Sequence, residues 1–518
     1  MHRGRRSDLI EGRWDVSHAK TIIEPVMASV AQRSDDPRRR GGPVRGRWVP
    51  LIGIGSGMLY LALAVAQDAL HRPPADAEPT LAPFVVYTAV TIALFALFVT
   101  LLVLCARYGP FTRRQRVLAI AIPIVFNVAF LFTPPSLSID LLSYISHGYI
   151  ETRMGANPLV ERSSIVAETP LGPELARYGW RPVHPASPYG PAWTRVEGAT
   201  ARWFDDARSQ MVVLKLVVVA ASLGTALLIW LILGHVRPEL RLLGTLAYLW
   251  NPTIVMELAG DGHNDAVMVF FVLLGLSLTI ERRVVGGIVA TSLGVLTKYV
   301  PILFLPLQIA WMWRTRLTMS RFAGRVLAGA AVAALLAVGL YAGYWEGSDT
   351  WTGVRLAGRP GSTGSTQTMI IELLSRILSP TSVESLVPIL AVLGLIVYLG
   401  YQARSIADGR DLFTGCAALA LVYLLFISPS YWPWYAVLPV ALLALVPTGP
   451  SLLVLLAVSL GSRLAAPLDL LFVHELLSRR VFFALTWILG LGIPILAWVV
   501  SRVRPRGLFF TLWSSPRL

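Results

Sequence analysis

Charge is scarce in this sequence. Only 14% of its 518 residues are Asp, Glu, Lys or Arg, where a soluble protein carries about 25%, so a water-soluble enzyme of this length is excluded. Cysteine is scarcer still. Cys105 and Cys416 both lie in apolar stretches; they give no metal-type spacing and no disulfide framework, so cysteine chemistry is not the function. Long runs without charge are what the chain has instead. With 55% hydrophobic residues and a mean hydropathy of +0.62, these runs recur at about the ~20 residues that cross a roughly 30 Å hydrocarbon core. The 35 prolines, 42 glycines and 16 tryptophans fit such a chain, because transmembrane helices tolerate Pro and Gly and Trp collects at the interfaces. The expected class is an all-α, polytopic integral membrane protein.

The 45 Lys and Arg against 30 Asp and Glu give a net charge of +15. Nucleic-acid binding is not expected from it, because the basic residues sit in short loops and tails beside apolar segments. Residues 1–48 are polar and arginine-rich, with Arg38, Arg39, Arg40, Arg45 and Arg47. They are too charged and too long for a cleavable signal peptide and predict a disordered basic cytoplasmic tail, in which Met27 is an alternative start of translation. The transmembrane domain then spans 49–501, and 502–518 is a short cytoplasmic tail.

Apolar segments lie at 49–66, 82–105, 117–133, 211–234, 242–258, 266–280, 284–297, 300–313, 326–345, 386–403, 412–427, 435–447, 450–466 and 481–501. They predict 12–14 transmembrane helices. With the basic tail inside, the arginine-bearing loops 107–116, 237–241, 282–283, 314–325 and 404–410 all fall in the cytoplasm, as the positive-inside rule requires. The opposite face receives the long stretch 134–210, the turn 260–265, Lys298 with Tyr299, the loop 346–385 and the aromatic turn 430–435. The stretch 134–210 is rich in Trp, Tyr and Pro, and is expected to be ordered. No internal repeat is visible, which weakens a transporter of inverted repeats.

Polar side chains at that face are the informative ones. Within residues 138–151, Leu141, Leu142, Ile145 and Tyr149 form an apolar stripe at helical spacing, and Asp140, Tyr144 and His147 line the polar side. The pattern predicts an amphipathic helix at the membrane surface, with Asp140 one step past the hydrocarbon boundary; Asp140 as a simple helix cap is the competing assignment. A second cluster, Glu257-Leu-Ala-Gly-Asp-Gly-His-Asn-Asp265, packs four ionisable side chains into a turn too short for a solvated domain. Such groups at a membrane edge usually mark a substrate or ion path, and a polar cavity wall is favoured over pure capping by Asn264 and Asp265. Asp261, His263 and Asp265 have metal-ligand chemistry, but one turn supplies that spacing without a site.

Lys298 divides a 30-residue apolar stretch into halves too short for upright crossings, with Pro301 and Pro306 behind it. A broken pair of helices with its turn at the cavity is expected. The lysine either snorkels to the interface or meets an anion such as a phosphate. Arg355 and Arg359, in a glycine-rich outer loop suited to a lid, are candidates for the same anion. Aromatic faces at Tyr189, Trp434 and Tyr435 suit an interfacial belt and also sugar stacking. A carboxylate base, a cation, aromatic platforms and a groove for an apolar tail together suit transfer from a lipid-phosphate donor to a hydroxyl acceptor.

The ordered set Asp140-x-x-Ser-Tyr144-x-x-x-Gly148, Gly155-x-Asn157-Pro158, Trp180, Ser187-Pro-Tyr-Gly-Pro191, Gly262-His-Asn-Asp265, Lys298 and Pro433-Trp-Tyr435 resembles the GT-C fold glycosyltransferases that use polyprenyl-phosphate sugars. Within them it is most similar to the actinobacterial polyprenol-phosphomannose-dependent α-1,6-mannosyltransferases of lipomannan synthesis in the cell envelope. The likeness covers about residues 120–440; Leu159 stands where the family commonly has an aromatic residue. It implies an inverting mannosyltransferase of the cell membrane, working on its extracytoplasmic face on a glycolipid or glycan acceptor. Asp140 would be the general base and Lys298 the donor-phosphate ligand. Asp261, His263, Asn264 and Asp265 would shape the pocket, and Tyr144 and His147 would orient the acceptor. No metal or other cofactor is expected. The alternatives are a transferase of another polyprenyl-phosphate sugar (arabinose, glucose or galactose) and a lipid-linked glycan flippase or polymerase. Ionisable residues gathered at the outer ends of the helices, not along a route through them, favour chemistry over transport.

Overall fold

The structure is a computed structural model that describes residues 47–71, 80–108, 111–135, 137–181, 186–315, 318–359 and 363–503. The expected tail at 1–48 lies outside the described residues except for Arg47 and Trp48, as does the C-terminal tail from 504 onward. Regular structure among the described residues is helical throughout. Among the described residues eight helices are long and apolar enough to cross a membrane: Trp48–Ala66, Ala82–Arg107, Ala207–Val236, Met319–Tyr341, Pro380–Ser405, Gly409–Ile427, Gly449–Val473 and Arg479–Val503. A bent pair, Pro252–Gly260 and Asp265–Ile280, makes a ninth, and three shorter apolar helices bring the segments to twelve. The protein is an all-α, multi-pass membrane protein.

Local sequence accounts for where helices start and break. Asp206 caps the 30-residue helix Ala207–Val236 by accepting the Ser209 N–H at 2.8 Å, and Asp408 and Asp411 form a capping box for Gly409–Val422. The expected run 242–258 is not one helix. It stops at Leu249, Asn251 caps a new start at Pro252, and this arm meets Asp265–Ile280 at 119°, with residues 261–264 at the tip. Lys298 is extended, with φ −156° and ψ 127°, between Val284–Thr297 and the 3-10 turn Val300–Phe304. The break expected there is present, because Pro301 and Pro306 open the two pieces that follow.

Two ends of the helical body differ in chemistry. At one, Arg314 donates to the carbonyls of Ile406 and Arg404, and Arg237 binds Glu239 at 2.6 Å, with Arg410 also acting on that carboxyl. Three of the arginine-rich loops therefore meet. At the other end the Asn157 amide donates to Tyr344 O and Glu346 Oε1 at 2.8 and 2.9 Å, and Arg181 pairs with Asp469 at 3.3 Å. Met319–Tyr341 and Pro380–Ser405 bury little of their surface. Leu335 and Val397 are 71% and 74% exposed, as faces toward lipid are.

The helix Asp140–Arg153 forms at the expected place but is not a surface helix with one wet face. Ten of its fourteen residues are buried, Asp140, Tyr144 and His147 among them. It packs chiefly against Pro191–Trp203, and Gly148 sets the approach: a Cβ there would lie 2.5 Å from Glu197 O and 2.9 Å from Ala201 Cβ. Gly148→Ala is expected to lower stability by about 1–3 kcal/mol through overpacking, read as a fall in Tm in detergent. Gly339→Ala, in open space, should leave the Tm unchanged.

Candidate active site

Asp140 is the first residue of its helix, where the positive helix end favours an anion. The N-cap is Ile139, without a side-chain cap bond. Asp140 Oδ2 accepts the Tyr189 hydroxyl at 2.8 Å, so capping does not explain this carboxylate. Burial pushes the Tyr189 phenol well above its ordinary range, and the charge of Asp140 adds to the rise. Tyr189 therefore stays a donor. The tyrosine is placed by Gly190, whose N–H donates to Thr297 O at 3.0 Å and where a Cβ would sit 2.1 Å from Leu296 O. Pro191 then opens the next helix. The Ser187-Pro-Tyr-Gly-Pro191 motif thus docks the stretch 134–210 on the residue pair just before Lys298.

The second cluster folds against the first. Asp261 Oδ1 accepts the Leu137 N–H at 3.1 Å, and the Asn264 N–H reaches the Tyr144 hydroxyl at 3.5 Å. His263 is fully buried, with Nδ1 3.6 Å from Asp140 Oδ2 and Nε2 3.5 Å from Glu257 Oε2. Its ring stacks on Trp434 at 4.1 Å and 20°, and Trp434 stacks on Trp432 at 5.1 Å and 11°. Asp140 and the His263 turn, 123 positions apart, are side by side.

Lys298 Nζ donates to both oxygens of Asp265, at 3.0 and 2.8 Å. It lies 5.0 Å from the centre of the Tyr435 ring and 5.9 Å from that of Tyr189, a cation held over aromatic faces. A cavity of about 70 Å³ opens beside it, with Asp265, Lys298 and Tyr435 at its polar part and Met268, Val300, Leu424 and Leu438 among its apolar walls. Carboxylate, cation, aromatic faces and apolar cavity are contiguous. Among the described residues no group of three His, Cys, Asp or Glu side chains is arranged to hold a metal.

Three expected residues are not brought to this cluster. Arg355 is exposed and turns to Thr352 Oγ1 at 3.1 Å and Asp349 at 3.9 Å, and Arg359 is exposed. Both belong to a loop that seats on the Ser187 backbone through Gly353, and the Arg355 contacts run within that loop. His147 is buried two turns below Asp140, with Nδ1 3.4 Å from Glu197 Oε1 and Nε2 3.1 Å from Ser163 Oγ. It ties helices together. Burial raises the Glu197 carboxyl, and His147 works against that rise. Glu257 enters the sequence analysis only as one end of the cavity-wall cluster and Arg463 not at all, yet Arg463 Nη1 lies 2.5 Å from Glu257 Oε1 with both side chains buried. An arginine inside the apolar run 450–466 was the available signal.

The chain matches, over residues 48–315, the family described as "Alpha-(1->6)-mannopyranosyltransferase, N-terminal domain". It is similar to alpha-(1->6)-mannopyranosyltransferase A of Mycobacterium tuberculosis, 27% identical over 352 residues that make 62% of this chain and 64% of the relative. It is also similar to the protein of that name from Corynebacterium glutamicum, 25% identical over 345 residues, 60% of this chain and 66% of the relative. The chain therefore spans just under two thirds of the length of these curated relatives.

His147→Ala should leave the Glu197 carboxyl buried without its partner and lower stability by about 1–3 kcal/mol, measured as thermal unfolding in detergent. Arg355→Ala, on an exposed loop, should leave the same melting curve in place.

Proposed function

The chain belongs to the alpha-(1->6)-mannopyranosyltransferase family, and on that premise we propose that it moves a mannosyl residue from a polyprenyl-phosphate donor to a hydroxyl of a glycolipid or glycan acceptor at the extracytoplasmic face, with inversion. The observation that carries this is the contiguity of a buried carboxylate, Asp140, with a lysine, Lys298, that stands at the mouth of an apolar cavity. A lipid-phosphate sugar has the complementary order: apolar chain, anion, anomeric carbon.

The first isoprene units lie along Met268, Val300, Leu424 and Leu438, and the phosphate reaches Lys298. Asp265 holds the ammonium in place before the donor arrives and shares it afterwards. Asp140 takes the proton of the acceptor hydroxyl as that oxygen attacks the anomeric carbon from the side opposite the phosphate. Inversion of a β-linked donor gives an α-mannoside. Lys298 stabilises the charge that develops on the departing phosphate, where a fixed cation in a dry site is most effective. Tyr189 holds the Asp140 carboxylate in one orientation by its 2.8 Å hydrogen bond, and the Trp432–Trp434 stack offers faces for sugar rings. The arginine-rich loops meet at the other end of the helices, which supports an extracytoplasmic site by the positive-inside rule.

Purified full-length protein with polyprenyl-phosphate mannose and membrane glycolipid is the direct test. Asp140→Asn should reduce kcat by about 10²–10⁴, the range of a lost general base, with insertion and folding retained; near-normal turnover of that variant removes Asp140 from the mechanism. Lys298→Ala should raise the donor KM about ten- to hundredfold, as loss of a charged hydrogen bond does. A donor panel including arabinose, glucose and galactose lipid phosphates decides the sugar, and faster turnover with any of these would replace mannose.

A further inference from the structure

We propose that a second cavity, beside the residues that lead into Asp140, binds one bilayer phospholipid with an anionic headgroup. The lipid phosphate meets Arg208, and the start of an acyl chain lies on Phe132 and Val212. No residue of this cavity belongs to the Asp140–Lys298 cluster, and the inference does not depend on the transfer reaction.

The cavity measures about 250 Å³. It lies between residues 131–134, just past the helix Arg113–Phe130, and the first turns of Ala207–Val236, with Tyr178 completing the lining. Sites that enclose a whole small ligand run to roughly 300–1,000 Å³, so this one takes one end of a molecule.

Its level and outlook are those of the membrane edge. Trp203, 80% exposed, and Phe204 come just before the helix Ala207–Val236, and aromatic residues of this kind mark the membrane–water interface. Farther along that helix Leu216, Leu227 and Leu231 are exposed, and Val125, Val128 and Phe132 are exposed on the other wall, as faces toward lipid are. Val212 is one turn from Leu216, and Phe132 follows Val128 at the same spacing. The cavity therefore meets the acyl chains of the bilayer.

Charge selects the headgroup. Arg208, Met211, Val212 and Lys215 share one helix face. Arg208 is exposed and has no hydrogen bond or ion pair from its side chain among the described residues. The carboxylates at this helix start are engaged with the backbone: Asp206 accepts the Ser209 N–H at 2.8 Å and Glu174 the Ala207 N–H at 3.0 Å. Behind the lining, Lys215 is fully buried and donates to Phe130 O at 3.1 Å and Thr133 O at 2.6 Å; the charge of Asp261 also acts on it. No carboxylate lines the cavity among the described residues. The Thr133 hydroxyl is taken by Phe130 O at 2.9 Å, and no unpartnered buried side-chain atom faces this lining, so the cavity recognises charge and apolar surface, not a set of glycan hydroxyls. A phosphodiester joined to acyl chains has the matching order, and basic pockets between membrane helices are sites for anionic headgroups. The bound lipid packs on residues 131–134 from outside while Lys215 holds them from inside, and Leu137, next along, is fixed by Asp261. The segment that leads into Asp140 is thereby firmed.

The test uses full-length protein in nanodiscs of phosphatidylcholine with increasing phosphatidylglycerol of the same chains, a trace of it carrying a photoactivatable acyl chain. Crosslinks should map to 131–134 and 208–212 and saturate, and amide hydrogen exchange at Leu131, Phe132 and Thr133 should slow as phosphatidylglycerol is added. Arg208→Ala should weaken the saturation about ten- to hundredfold, as loss of one charged hydrogen bond does. Val212→Trp, which fills the cavity, should abolish both signals; melting in pure phosphatidylcholine checks that each variant is folded, and the Arg208→Ala comparison decides by itself if Val212→Trp is not. Arg202→Ala, an exposed arginine outside the cavity, should behave as wild type. Labelling that does not saturate, or that is equal in Arg208→Ala and wild type, overturns the proposal. Displacement of the label by the membrane glycolipid acceptor also overturns it, because the cavity would then belong to the transfer site.

Discussion

A charge taken out of water must be matched at once by an opposite charge, and this requirement organises the whole polar end of the protein. Arg463 is matched by Glu257, Lys298 by Asp265, and His263 stands between Glu257 and Asp140. The Arg463–Glu257 and His263–Asp140 pairs join elements distant in sequence, so the helices that carry them are fixed relative to one another by electrostatics in a low-dielectric surrounding. Removing one member leaves the other buried and unpaired, which costs far more than the pair contributes. Chemistry and folding therefore depend on the same contacts.

The apolar part of the molecule works by close approach. Gly148 lets the helices Asp140–Arg153 and Pro191–Trp203 approach closely, and Gly190 lets the stretch 134–210 sit against the Leu296 carbonyl. Neither glycine touches a substrate in the proposed reaction. They bring Tyr189 to Asp140 and hold the loop beside Lys298. The aromatic pair Trp432–Trp434 completes the wall and covers His263. Outside this region the constraint relaxes, and Met319–Tyr341 and Pro380–Ser405 present their Leu and Val side chains outward.

Much of this was legible in order along the chain. Scarce charge and recurrent apolar runs imposed helices, since backbone polar groups in lipid must be satisfied within the segment. Asp140, His263, Asp265 and Lys298 stood out because ionisable groups beside such runs are costly. Helical periodicity placed a helix within 138–151, where Asp140–Arg153 forms, yet implied a wet face for it. Periodicity reports which residues share a side and not what covers that side. The polar line of this helix faces other protein, and His147 is spent on Glu197 and Ser163. Arg355 and Arg359 drew notice by loop position and charge, and those do not specify where a side chain turns.

By itself, then, the sequence determined the class of protein, the approximate segments, the broken helix at Lys298 and the residues whose polarity had to be explained. Tertiary structure alone decided their partners. That Asp140 meets Tyr189 and His263, that Lys298 meets Asp265, and that Arg463 reaches Glu257 across 206 positions are facts of helix packing. The reason is physical: hydrophobicity is a property of each segment and is written locally, whereas the pairing of buried charges depends on distances between segments, which no single segment contains.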